Sequence, residues 1–277
     1  MKMNRYFDGL LIDIYSPENN SRKPPIFAIH GSWSSSRRME NYGRFFSEKG
    51  YTFLAVNLRG HAASRLVKDL GKVSIKEYIQ DIKDAIDYTR NNGTIGWVDP
   101  IVIGHSMGGL IAQKIAEEIP LSALILLNSA PPQGVRLIRS ADLFLAQLKY
   151  FFCYLLMNRK FKPTRKDAYR FIMNGMPLEA RDQYYQEIAY ESGLASKEIA
   201  LGRIEVGAAE IHCPILIVGC GKDKIIHPAI AQDLYEKYDV NKKATVRIFK
   251  DFAHWIQLEP GWEQPAKEIL QWLEKLK

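Results

Sequence analysis

Ile101-Val102-Ile103-Gly104-His105-Ser106-Met107-Gly108-Gly109-Leu110-Ile111-Ala112 decides the reading of this chain. A β-branched apolar run enters it, and an apolar run of helix-favouring residues leaves it. Between them, Gly104 to Gly108 spell G-x-S-x-G, which at a strand-to-helix junction is a nucleophile elbow. The turn is so tight that the residues two before and two after the serine can carry almost no side chain, and both are glycine. Ser106 is therefore expected in a strained backbone conformation, its hydroxyl projecting from the end of a sheet. The positive end of the helix that begins there points at whatever Ser106 attacks.

Outward from this stretch, residues 10–15, 26–30, 51–56, 123–127, 214–218 and 244–249 read as further buried strands. Helical periodicity covers residues 38–49, 230–238 and 262–276. It also follows Ser74, which with Glu77 makes a capping-box signature. Buried strands alternating with helices imply an α/β fold, a mostly parallel sheet covered on both faces. In such sheets the functional residues gather just beyond the strands' carboxyl ends. One interval breaks the alternation. Residues 131–210 contain no strand-like run but helical ones at 137–157, 166–173, 178–192 and 196–201. An insertion of roughly 80 residues is too long for a plain loop. It reads as a helical cap (131–210) on a core domain of residues 1–130 and 211–277.

Composition sets the outer limits. The chain has 277 residues, 47% of them apolar and 25% charged, enough for one α/β domain with an insertion and a large core. Cys153, Cys213 and Cys220 are too few and too scattered for a disulfide framework or a zinc site. With no signal peptide and no 18-residue apolar span, a cytoplasmic location is expected. The net charge is +7, and residues 131–177, with nine basic and two acidic side chains, carry all of the excess. A basic helical segment suits anionic lipid, an anionic substrate or nucleic acid, or is simply a solvated helix face.

A serine hydroxyl needs a base. His254 follows the 244–249 strand by five residues and precedes the last helix, which places it at the sheet's carboxyl edge. His61 and His227 also satisfy the strand-end rule and stay open as alternatives. His105 adjoins the serine and points elsewhere, His30 comes early in the chain, and His212 precedes a strand. The base needs a carboxylate to orient it. Asp223 follows the 214–218 strand directly, and the order Ser106, Asp223, His254 is the one expected with an elbow serine. Asp251, in the histidine's own loop, is the second candidate. The oxyanion formed on attack needs two donors. The backbone N–H of Met107 is one, and the loop His30-Gly31-Ser32-Trp33 offers the N–H of Ser32 as the other.

His30-Gly31-Ser32-Trp33, Asn57-Leu58-Arg59-Gly60-His61, Gly104-His105-Ser106-Met107-Gly108-Gly109, Asp223 and His254 together resemble the α/β-hydrolase superfamily. More narrowly, they resemble its capped esterase, lipase and lysophospholipase-like members. The resemblance runs nearly end to end and is weakest across the cap. It implies an eight-stranded sheet with a helical lid, no metal and no cofactor. Two departures stand out. The family's usual D-x-R-G-x-G-x-S begins here with Asn57 and has Ala62-Ala63 at the second glycine step. The nucleophile position holds serine, not the aspartate with which resembling members perform haloalkane dehalogenase or epoxide hydrolase chemistry.

The expected activity is hydrolysis of a carboxylic ester or thioester through an acyl-enzyme. Trp33 is expected to touch the substrate. The cap aromatics and methionines (Phe144, Phe151, Phe152, Tyr154, Met157, Met173, Met176, Tyr184, Tyr185) supply an apolar acyl pocket or, for about half of them, the cap's own core. The same scaffold hosts acyl transfer and non-catalytic ligand binding, and an intact set of three argues against the latter. No nucleic-acid partner is expected, and the basic, apolar cap suits peripheral contact with anionic lipid.

Overall fold

The computed structural model describes residues 2–19, 23–96 and 98–276. Its strands are β1 (Lys2–Phe7), β2 (Leu10–Tyr15), β3 (Ile26–Ile29), β4 (Phe53–Val56), β5 (Ile101–His105), β6 (Ala123–Leu127), β7 (Ile215–Cys220) and β8 (Ala244–Phe249). Its helices are α1 (Glu40–Glu48), α2 (Ile75–Asn91), α3 (Met107–Glu118), α4 (Ala141–Tyr150), α5 (Arg165–Asp167), α6 (Leu178–Gln186), α7 (Gly193–Ala200), α8 (Ala229–Tyr238) and α9 (Glu263–Glu274). The strands form one eight-stranded sheet in the order β1-β2-β4-β3-β5-β6-β7-β8. The pairs β1–β2 and β2–β4 are antiparallel, and every pairing from β4 to β8 is parallel.

Strand β1 is missing from the sequence reading for a physical reason. It is an edge strand, Lys-Met-Asn-Arg-Tyr-Phe, with little burial, so no apolar pattern marks it. The inner strands are legible because both faces are covered. Ile12, Phe27, Ile29, Leu54 and Val102 pack with α2, α3 and α8 on one face. Ile26, Ala28, Phe53, Ala55 and Ile103 pack with α1 and α9 on the other. Each such side chain, fully buried, contributes about 1.5–3 kcal/mol for the larger ones. At the start of α2 the Ser74 hydroxyl accepts from the Glu77 amide and the Glu77 carboxylate accepts from the Ser74 amide, as a capping box requires.

Residues 131–210 add no strand to the sheet and carry α4 to α7. Helix α4 begins at Ala141 because the Ser140 hydroxyl accepts from the Leu143 amide, and a π turn over Phe151–Leu155 continues it. A second π turn, Ala168–Ile172, extends α5. The helical run at 178–192 stops at Gln186. Beyond it the Ala189 amide donates to the Trp33 carbonyl, and Phe161 and Glu191 exchange both backbone hydrogen bonds as an isolated bridge. Tertiary partners there outweigh helix propensity. Among the described residues no helix is long and apolar enough to cross a membrane.

A buried polar cluster ties this interval to the sheet. The Glu191 carboxylate accepts from Tyr78 Oη (2.7 Å) and the Ser192 amide (2.6 Å), and His61 Nε2 lies 3.2 Å from it. Burial alone would push His61 down and Glu191 up. Their mutual attraction outweighs it, holding the imidazole above and the carboxyl below their ordinary values.

Candidate active site

Ser106 joins β5 to α3 with φ 53° and ψ −120°, outside the regions that L-residues favour. A Cβ on Gly104 would lie 2.2 Å from the Gly108 carbonyl oxygen, and one on Gly108 would lie 2.3 Å from the Ile29 carbonyl oxygen. Close backbone approach therefore dictates both glycines. The strained serine is pinned on either side. Its amide donates to the Leu127 carbonyl (3.0 Å), and its carbonyl accepts from Gly109 and Ala130 (2.9 Å each).

His254 lies between β8 and α9, and its Nδ1 is 2.7 Å from Asp223 Oδ2. The other carboxylate oxygen accepts from the Ile225 and Ile226 amides at 2.8 and 2.9 Å, so the Asp223 side chain has little freedom. With an ionised carboxylate as partner, Nδ1 carries the ring proton and Nε2 is left as an acceptor. Ser106, Asp223 and His254 follow the carboxyl ends of β5, β7 and β8, with β6 between the first two in the sheet.

The histidine loop is held by three side chains that sequence reasoning gave no role. His105 Nε2 is 2.7 Å from the His254 carbonyl, and Asn128 Nδ2 donates to the carbonyls of Ala253 and His254. Glu259 accepts from the amides of Ala253 (2.8 Å) and Trp255 (3.0 Å). Burial, then the proximity of His254, pushes His105 down to about 3. It is therefore a neutral imidazole with Nε2–H donating, and it places no second positive charge beside His254.

Ser32 and Met107 meet over the elbow, the Ser32 hydroxyl lying 3.4 Å from Met107 Sδ. Among the described residues neither backbone N–H meets an acceptor within the fold. His30 shapes the first loop. Its Nε2 accepts from the Leu58 amide, so its Nδ1–H donates to the Gly31 carbonyl at 2.9 Å. A Cβ on Gly31 would lie 2.8 Å from the Ser106 Cβ, so the loop reaches the elbow only as glycine.

A cavity of about 130 Å³ opens on Ser106, His254, Ser32, Met107 and Trp33. Its apolar wall includes Leu137, Leu155, Phe161, Ile172, Ile199 and Ile225. None of the nine aromatics and methionines of residues 131–210 named above lines it, which corrects the expectation that about half of them would form an acyl pocket. Phe144, Phe152 and Met157 are exposed, whereas Met173 and Met176 pack under Trp255. The alternatives to His254 and Asp223 lie elsewhere. His61 is buried against Glu191, His227 is exposed and accepts from the Ala229 amide, and Asp251 is exposed beside Lys222. Among the described residues no group of three or more His, Cys, Asp or Glu is arranged to hold a metal.

The family model for "serine aminopeptidase, S33" matches residues 20–261, most of the chain. The chain belongs to this family of α/β hydrolases. A Bacillus subtilis carboxylesterase is 19% identical over 91% of this chain and 92% of its own. An epoxide hydrolase 3 of Xenopus tropicalis is 23% identical over 88% of this chain and 70% of its own. Among solved structures, a Paleococcus ferrophilus monoacylglycerol lipase superposes with a TM-score of 0.72 at 20% identity, covering 97% of this chain and 99% of that one.

In this α/β hydrolase the loop whose sequence departs from the superfamily pattern is held by contacts of its own. Ala62, in place of the second glycine, has φ 48°. Asn57, in place of the aspartate, is buried. It accepts from the Ser36 amide and donates to the Leu11 carbonyl and the Ser36 hydroxyl. Arg59 reaches Asp81 at 2.7 Å and Glu77 at 3.2 Å.

Proposed function

We propose that this chain hydrolyses a carboxylic ester or thioester with a small apolar acyl group, through an acyl-enzyme on Ser106. Ser106 Oγ attacks the carbonyl carbon as its proton passes to His254 Nε2. Asp223 holds the imidazole in the required tautomer and stabilises the imidazolium. The amides of Ser32 and Met107 receive the developing oxyanion, and removing one such donor typically costs about 3 kcal/mol. His254 then protonates the leaving alcohol or thiol. Water repeats the sequence on the acyl-enzyme and releases the acid.

The observation that carries this reading is the 2.7 Å bond from His254 to Asp223, with His254 facing the same cavity as the strained Ser106. The cavity supports a neutral substrate, because among the described residues no carboxylate lines it to receive the α-ammonium group of an aminopeptidase substrate. Serine at the elbow supports acyl transfer to water over the epoxide chemistry of the relative named above. At about 130 Å³ the space is near that of a cavity known to hold benzene. Short acyl chains therefore fit as the protein stands, with Trp33 against them, and long ones require residues 131–210 to move as a lid.

Fluorophosphonate labelling and a panel of p-nitrophenyl esters of increasing chain length test this. Labelling and turnover should both vanish in Ser106→Ala, and short esters should be preferred. Undiminished hydrolysis in that variant would refute the assignment.

A further inference from the structure

Helix α4 and the π turn that continues it present one side to the cavity and another, apolar one to solvent. Gln147, Tyr150 and Leu155 turn inward and roof the cavity above Ser106. Phe144, Leu145, Leu148, Phe152, Leu156 and Met157 are exposed, each by 41 to 63%. Residues 144, 148, 152 and 156 recur every four positions. Leu145 and Met157 lie in the adjacent row with Lys149 and the exposed Cys153. These six side chains make one continuous stripe along the segment. A single exposed leucine needs no explanation, but a contiguous stripe of this length marks an interaction surface.

The rim of the stripe is cationic. Arg139, Lys149, Arg165 and Arg170 pair with Asp233, Asp167, Asp182 and Asp142. Arg159, Lys160 and Lys166 are exposed and, among the described residues, have no carboxylate partner. Arg159 and Lys160 lie two and three residues beyond Met157. Lys166 adjoins Asp167, whose carboxylate is bonded to Tyr150 Oη at the end of α4. Three cations without a carboxylate partner, of which Lys160 lies over the Tyr190 ring, thus flank the C-terminal half of the stripe.

We propose that this stripe docks on an anionic lipid surface, its apolar row entering the acyl boundary and the cations meeting headgroup phosphates. Such a surface supplies both complements at once. A second copy of the chain does not, because a two-fold contact through the stripe would bring the same cations face to face.

The test uses the full chain carrying Ser106→Ala, so that binding is read without turnover. It is mixed with vesicles of phosphatidylcholine alone or with phosphatidylglycerol. The protein should sediment with the anionic vesicles, much less with the neutral ones, and be released by high salt. Phe152→Asp with Leu156→Asp should weaken vesicle partitioning by about tenfold or more. Neither residue lines the cavity, so the same pair with Ser106 intact should hydrolyse a water-soluble ester at the parental rate, which also shows that it folds. Arg159→Glu with Lys160→Glu should remove the preference for anionic vesicles while leaving ester hydrolysis unchanged. Three results would each overturn the proposal. One is equal recovery in the supernatant with and without vesicles. Another is binding insensitive to both pairs of substitutions. The third is a dimer that the aspartate pair dissociates while vesicles go unbound, which assigns the stripe to a second copy.

Discussion

Ser106→Gly should be more stable than Ser106→Ala, and neither should hydrolyse esters. Each substitution removes the hydroxyl, so the difference between them isolates the Cβ. That Cβ is attached to a residue at φ 53° and ψ −120°, outside even the left-handed basin, whose ψ is positive. Strain of this kind costs about 1–3 kcal/mol. Glycine relieves it but gives back about 0.5–1 kcal/mol through the greater freedom of the unfolded chain. The net gain of Gly over Ala is about 1 kcal/mol, or about 2–4 °C in midpoint for a chain of this size. Calorimetry and urea unfolding of the two variants, side by side, measure it. A glycine variant less stable by about 0.5–1 kcal/mol, the full entropic cost, would show that the elbow stores no strain and that Ser106 is held there at no cost.

Three further outcomes follow from the contacts around the site. Glu259→Gln leaves one of the Ala253 and Trp255 amides facing an NH₂ group and removes a charge-assisted hydrogen bond worth about 1.5–3 kcal/mol. Steady-state kinetics should show kcat lowered by about tenfold with KM little changed, and an unaltered kcat would remove Glu259 from the positioning of His254. The His61–Glu191 pair should make stability depend on pH. The Glu191 share is lost as pH falls through its depressed folded value, and the His61 share is lost as pH rises through its raised one, so both are fully present between about pH 4.5 and 6.5. Glu191→Gln should cost about 3–5 kcal/mol and flatten that profile, and urea unfolding from acid to alkaline pH checks both. Ala62→Gly, at an exposed position with φ 48°, should raise stability by about 0.5–1 kcal/mol with no loss of activity; a lower urea midpoint would contradict it.

Much of the fold was legible because it depends on short-range patterns. A strand buried on both faces reads as an apolar run, and all seven strands expected from the sequence are in the sheet, although β8, at the far edge, is only partly buried and is marked by its β-branched residues rather than by full burial. Strand β1 is invisible to the same rule because it is exposed at the edge. The elbow is equally local, with two glycines demanded by contacts of Gly104 and Gly108 within one turn of backbone and its neighbour strand. The ends of β5, β7 and β8 identify the places where Ser106, Asp223 and His254 stand, since a parallel sheet brings its carboxyl ends to one edge.

What the amino-acid order alone determined is therefore the α/β sheet, the elbow and the three strand-end positions, because periodicity, turn sterics and chain order act over a few residues. Only the tertiary structure decided what surrounds them. His105 and Asn128 reach the His254 loop across 149 and 126 residues of sequence, and His61 meets Glu191 across 130. Such pairings depend on strand order and packing, which no local pattern encodes. The same holds for α4. A segment with apolar residues on more than one side carries no sign of which face turns inward. Packing against the cavity set Gln147, Tyr150 and Leu155 inside and left Phe144, Phe152 and Met157 in solvent, reversing the role expected of those three.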